Sequence, residues 1–364
     1  MATRLIDQCD EGSIINIKVV GVGNAGSNIV SRISGKIKGV TSVVFNTDAN
    51  ALKYSKADIK RQIGEKTTQG RGTGRDPEKG KFAANEDAEK IKEVLKNSNF
   101  VFLIAGLGGG TGTGGSPVVA KLAKDLGAIV ISLVTTPFDF EGDKRIKHAK
   151  TGLETLEKSV DTLIHIPNQR LYDFVDDKVI ITEAFEKVDE IISRTVSSLS
   201  DLIYKPKILD IDFADICSIV ANAGKGIVGL GSGKGPGRMQ KAANSTIDDP
   251  LIEKNEIMEA KNILISITGS TNLTLKEVGE AMNLIQDRIA SPSKVLGVAI
   301  DEELEDEVNI TLLATGIGSQ LKAEPDNKKK PASAAKSDEE LPNIEREEDL
   351  EKPAVMRKNK GDDL

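Results

Sequence analysis

Phe100-Val101-Phe102-Leu103-Ile104-Ala105, followed at once by Gly106-Leu107-Gly108-Gly109-Gly110-Thr111-Gly112-Thr113-Gly114-Gly115, decides how the rest of the chain is read. An apolar run without a polar break fits a strand buried on both faces, as in a parallel sheet covered by helices. The glycine run leads through Ser116-Pro117 into the apolar segment Val118–Leu126, which reads as a helix. Ser116 is expected to cap it and Pro117 to stand in its first turn, where a missing N–H costs nothing. Backbone N–H groups freed of side chains, with two threonine hydroxyls, can then surround phosphate oxygens at the positive end of the helix. A flexible linker is the plain alternative, but a linker does not join a buried strand to a capped helix. No GxxxxGKS or GxxxxGKT pattern occurs, so the loop is not of the Walker type.

Working outward, Ile14–Val20, Ser42–Phe45, Ala128–Val134 and Thr162–Ile166 also read as buried strands alternating with helices, which predicts an α/β fold around a mostly parallel sheet. The first strand runs into Gly21-Val22-Gly23-Asn24-Ala25-Gly26, a GxGxxG before a helix expected near Asn28. Asp48 follows at the place where a dinucleotide fold keeps its ribose carboxylate, so a nicotinamide dehydrogenase is a rival reading on this motif alone. Phe185, Val188, Ile192, Val196, Leu199 and Ile203 recur at helical spacing until Pro206, which predicts one long central helix. A second, smaller α/β unit is expected beyond it, with a helix from about Asp215, strands at Ile263–Thr268, Val295–Ile300 and Val308–Ala314, and a helix near Leu275–Ile289. After Gly318 the composition turns to Lys, Glu, Asp, Ala and Pro, too polar to fold alone.

The 364 residues suit two domains and a tail, and a formal charge of −7 argues against non-specific nucleic-acid binding. Cys9 and Cys217 form no disulfide framework or zinc motif, so no fixed metal ligands are expected. With no signal-like start and no long apolar window, neither export nor direct membrane insertion is expected, and the cytoplasm is the predicted location.

Gly109-Gly110-Thr111-Gly112-Thr113-Gly114 resembles the glycine signature of the tubulin and FtsZ superfamily. Asn46-Thr47-Asp48-Ala49, Thr135-Thr136-Pro137-Phe138-Asp139-Phe140-Glu141-Gly142, Ile166-Pro167-Asn168-Gln169-Arg170-Leu171 and Asp212-Phe213-Ala214-Asp215 are similar to FtsZ segments in the same order. The resemblance implies a Rossmann-like GTPase domain over 13–177, a central helix over 178–206 and a smaller α/β domain over 207–318. Around these it implies a flexible segment at 1–12, a linker at 319–348 and a partner-binding peptide at 349–364. It implies GTP/GDP with Mg²⁺ as ligands, with Gly23, Asn24, Ala25, Gly26, Ser27, Gly109, Gly110, Thr111, Gly112 and Thr113 around the phosphates. Glu141 and Arg145 would lie at the ribose, and Asn28, Asn168, Phe185 and Asp189 at the guanine. Asp189 makes chemical sense there, because a carboxylate accepts from guanine N1–H and the 2-amino group and finds no such donors on adenine. Spacing alone fits equally well a solvated helix carboxylate.

The nucleotide loops contain no general base. The resemblance implies that Asp212 and Asp215, with Asp210, act in trans on the nucleotide of a neighbouring copy, so that GTP is hydrolysed only in a head-to-tail filament of the cell-division ring. Helix capping is the alternative use of these acids. The chain departs from the family in its first loop, at Lys207 and Asp210, and at Arg75, which replaces a small residue near the terminal phosphate. Pro353, Ala354, Val355, Met356, Arg357 and Lys358 resemble the peptide that binds membrane tethers such as FtsA. This places the protein at mid-cell, on the inner face of the membrane, and plain disorder is the alternative reading of the peptide.

Overall fold

The computed structural model describes residues 15–318, apart from 38, 175–179, 205–206, 210, 253, 290–292 and 303. Among these, β1 (Ile17–Val22), β2 (Val40–Asn46), β3 (Ile59–Gln62), β4 (Phe100–Gly106), β5 (Ile129–Thr136), β6 (Thr162–Pro167), β7 (Lys207–Leu209), β8 (Gly224–Lys234), β9 (Asn262–Gly269), β10 (Ser293–Ile300) and β11 (Glu307–Ile317) form one sheet. Its order is β3-β2-β1-β4-β5-β6-β8-β11-β9-β10-β7. The first six strands are parallel and almost wholly apolar, as burial on both faces demands. The second half is mixed, with β11 antiparallel to both β8 and β9. The halves join where β6 pairs in parallel with the start of β8 through Thr162–Ile164.

β1 lies between β2 and β4, so the order reverses there and the segments leaving the carboxyl ends of β1 and β4 diverge to opposite faces. Helix Gly23–Ile33 packs Ile29, Val30 and Ile33 on one face, beside Val188, Ile192 and Val196 of the central helix Ile181–Tyr204. Helix Thr111–Asp125 packs Val119, Ala120 and Ala123 on the other face, beside Ala84 and Ile91. The crevice between these two helix starts lies outside the strand ends, where open α/β sheets bind ligands. The helical period predicted the central helix well, except that Phe185 is 40% exposed and so is not core.

Two local expectations are corrected. The helix after β1 begins at Gly23 rather than near Asn28, so the later residues of the glycine motif form its first turn. The helix after β4 begins at Thr111, its N-cap is Gly110, and Ser116 and Pro117 lie inside it. Helix Pro77–Glu86 causes this second shift. It lies so close that a Cβ at Gly114 would stand 1.8 Å from the Pro77 carbonyl oxygen, and Gly114 N–H donates to Gly110 O at 2.9 Å. Packing against that helix winds the glycine run into a turn that no propensity favours.

The second half needs a strand that apolar patterning does not reveal. β8 reads GKGIVGLGSGK, and its glycines let helix Arg238–Ile247 lie directly on it. Arg238, only 6% exposed, pins this region by donating to both Glu277 oxygens (2.8 and 3.2 Å) and to Asp306 Oδ1 (3.0 Å). Glu277 in turn accepts from Thr274 N–H at 2.9 Å, closing a capping box on helix Leu275–Arg288.

Candidate functional site

A cleft of about 680 Å³ opens over the carboxyl ends of the parallel strands. Two helix N-termini meet in it, since a Cβ at Gly23 would lie 2.8 Å from the Gly112 nitrogen. Neither helix is capped by a side chain, so both present first-turn N–H groups to the crevice. Oriented amides and two converging helix dipoles make an anion site without a lysine. Thr113 Oγ1 accepts from Gly108 N–H at 2.9 Å and holds the loop shut behind, while the Thr47 and Thr111 hydroxyls share a buried hydrogen bond at 2.6 Å.

On the central-helix side the chemistry changes. Asn168 is 6% exposed, and its Oδ1 has no hydrogen-bond partner among the described residues. An unanswered buried acceptor is costly, and a ligand donor in the cleft would satisfy it. Phe185 stands edge-on to Phe138 with ring centres 5.6 Å apart, and Phe140 stacks on Phe138 at 5.0 Å, giving an aromatic wall. Asp189 is ion-paired with Arg32, and Arg145 with Glu141. Glu141 also accepts from Phe138 N–H at 3.0 Å, which fixes the turn carrying it.

Of the residues singled out by sequence, Asn24, Ala25, Asn28, Gly109, Gly110, Thr111, Gly112, Glu141, Arg145, Asn168, Phe185 and Asp189 line this one cleft. Gly23, Gly26, Ser27 and Thr113 do not line it but build its walls. At Gly26 an added Cβ would stand 2.4 Å from Ile104 O, and Ser27 Oγ accepts from Asn46 Nδ2 at 3.1 Å. Asp48, the candidate ribose carboxylate of the dehydrogenase reading, has one oxygen committed to the N–H groups of Asn50 and Ala51 as a helix cap. Arg32, Thr47 and Arg71 line the cleft although nothing in their spacing marks them.

His165 touches the site from behind, its Nε2 2.9 Å from the Thr136 hydroxyl. Burial, with the charges of Lys225 and Arg170 nearby, pushes it down to about 4. At neutral pH it is an uncharged hydrogen-bonding partner that orients Thr136.

The acid loop lies elsewhere. Asp212 and Asp215 are exposed at the start of helix Phe213–Val220, and Asp212 N–H donates to Asp215 Oδ2 at 3.2 Å. Phe213 between them packs edge-on against Phe100 at 6.1 Å. Phe100 begins β4 and Gly106 ends it at the cleft, so the acids sit roughly 20 Å away at the opposite end of the strand. Asp210 and the tail residues Pro353, Ala354, Val355, Met356, Arg357 and Lys358 lie outside the described residues.

Comparison with known proteins agrees with this geometry. Residues 16–176 match the GTPase domain of the Tubulin/FtsZ family, and residues 224–318 match the C-terminal domain of the FtsZ family. An empty FtsZ dimer from M. jannaschii is 38% identical, with 86% of this chain and 92% of that chain covered and a TM-score of 0.78. CetZ2 from Haloferax volcanii, solved as a GTPγS-bound protofilament, shares the fold at 22% identity and a TM-score of 0.71, covering 83% of this chain and 93% of that one.

Proposed function

The chain belongs to the tubulin/FtsZ family and is a guanine-nucleotide-binding GTPase, and from that premise we propose that it stacks head to tail into cytoskeletal filaments which hydrolyse GTP between subunits. The observation that carries this reading is the separation of the two halves of the chemistry along β4: the cleft is at one end of the strand and the exposed acids are at the other. Within one molecule Asp212 and Asp215 cannot reach a nucleotide held in that cleft. In a head-to-tail stack, the acid end of one copy faces the cleft of the next.

In this reading the base lies against Phe185, with Asp189 accepting from its N1–H and 2-amino group and Asn168 and Asn28 on its other edges. Arg32 must leave Asp189 for the base to bind. Glu141 and Arg145 hold the ribose, and the amides of Gly109–Gly112 and of the Asn24–Ala25 turn hold the phosphates. The described residues contain no group of His, Cys, Asp or Glu fit to bind a metal. Mg²⁺ would therefore be held through the phosphate oxygens, where it neutralises charge. Asp212 and Asp215 of the neighbouring copy would orient the attacking water and accept its proton.

The test is GTP turnover against protein concentration. The rate per molecule is expected to rise above a threshold, whereas a constant rate would mean that each molecule hydrolyses alone. Asp212→Ala should still bind GTP and join filaments, and mixed with wild type it should remove more turnover than its molar share.

We further propose that residues 13–177, 178–206 and 207–318 act as nucleotide domain, central helix and acid-bearing domain. The same reading places the filament in the cytoplasm at the division site, held to the inner membrane face when 349–364 binds a tether such as FtsA. Deleting that peptide should spare turnover and abolish recruitment to tether-coated vesicles.

A further inference from the structure

The arginines lining the cleft fall into two kinds. Arg32 and Arg145 are spent in ion pairs with Asp189 and Glu141. Arg71 and Arg75 are exposed, and no hydrogen-bond or ion-pair partner meets either guanidinium among the described residues. We propose that Arg71 and Arg75 clamp the terminal phosphate of a nucleoside triphosphate, so that this loop discriminates triphosphate from diphosphate. The inference rests on the reading of the cleft as a GTP site.

Position carries the first part of the argument. The cleft runs from the face of the sheet holding helices Gly23–Ile33 and Ile181–Tyr204 to the face holding helices Pro77–Glu86 and Thr111–Asp125. With the base against Phe185 and Asp189 on the first face, the phosphates run across the glycine loop towards the second. The segment Arg71–Asp76 closes that far end. It is docked on the glycine loop, since a Cβ at Gly110 would lie 2.0 Å from Thr73 Oγ1 and 2.7 Å from Asp76 O. Its other side is tied to the end of β2, where Gly72 N–H donates to Thr47 O at 3.3 Å and Ala49 N–H to Gly70 O at 3.1 Å. Two guanidinium groups are thus held on a fixed loop beyond the helix N-terminus.

Backbone conformation carries the second part. Arg75 has φ +66°, in the left-handed region, as do Gly70, Gly72 and Gly74 around it. Glycine would occupy that position without strain, so a side chain there costs stability that the fold does not need. Strain retained for the sake of an unpaired guanidinium points to a ligand. A terminal phosphate adds charge and acceptor oxygens that two planar guanidinium groups can bind bidentately. A diphosphate ends short of the loop.

The experiment compares GDP and a non-hydrolysable GTP analogue on the full-length chain, with melting temperature recorded for every variant. Arg75→Gly is expected to leave melting unchanged or raise it, to keep GDP affinity within about twofold, and to weaken the analogue about tenfold, one charge-assisted contact's worth. Arg71→Ala combined with Arg75→Gly should weaken the analogue about a hundredfold on the same basis, and Arg75→Lys should recover part of the loss. Equal loss for both nucleotides, or loss for neither, would overturn the clamp. Wild-type protein that bound neither nucleotide would remove the underlying GTP reading first, a failure visible before any variant is compared.

Discussion

Gly106–Gly115 and β8 are both glycine-rich, and their glycines face different things. In β8 an added Cβ at Gly231 would lie 2.1 Å from the Ala242 carbonyl, because helix Arg238–Ile247 fills the space a side chain would take. In the first segment Gly109 has nothing within 4 Å, and the space beside it is the cleft. Yet Gly114, five residues on, is as tightly covered by helix Pro77–Glu86 as Gly231 is by its own helix. Glycine content therefore does not separate a phosphate cradle from a packing seam. What occupies the missing side chain's volume separates them.

The sharpest way to break that comparison is Gly231→Ala. A methyl group against a backbone carbonyl has no rotamer of escape, so a loss of more than about 4 kcal/mol is expected. Thermal unfolding checks it, and a native melting temperature would show that the helix does not rest on the strand. Arg238→Ala tests the pin that holds the same helix. Leaving Glu277 and Asp306 without their shared cation should cost about 3 kcal/mol, at the low end for a broken buried pair because Asp306 is half exposed.

A smaller effect tests the place where the two halves meet. His165, held down to about 4 by burial and by Lys225 at the start of β8, takes up its proton near 6.5 once the chain unfolds. Between pH 6.5 and 4 the unfolded state gains that proton first, so stability falls as pH falls through this window and levels off below it. His165→Asn should flatten that slope in pH-dependent melts, and an unchanged slope would assign it to other groups. Gly109→Ala should move stability least, within about 0.5 kcal/mol, since the methyl enters open space. It should nevertheless cut GTP turnover about tenfold or more by crowding the phosphate cradle. A Gly109→Ala protein with normal turnover would mean that the open face of the run is not where phosphates lie.

Much of the architecture was legible in the chain. Phe100–Ala105, the central helix stripe and the strands of the second half follow from apolar period, because burial dictates residue type at each position. The same logic fails at β8, whose glycines carry no apolar signal, and at Ser116-Pro117, where capping chemistry pointed to a helix start that tertiary packing moved back to Thr111. Within the cleft, the glycine loops and the residues given by resemblance come together, but Arg32, Thr47 and Arg71 are ordinary surface types until the fold sets them side by side.

What the sequence determined by itself was which segments are buried strand or helix and which loop is bare of side chains, since these are properties of short, local runs. Only the tertiary structure decided that two uncapped helix starts touch, that Asn168 is left with an unanswered acceptor, and that the acids lie at the far end of β4 from the cleft. Those relations join residues dozens to more than a hundred positions apart, and distance in space along a sheet is not encoded in any one stretch of the chain.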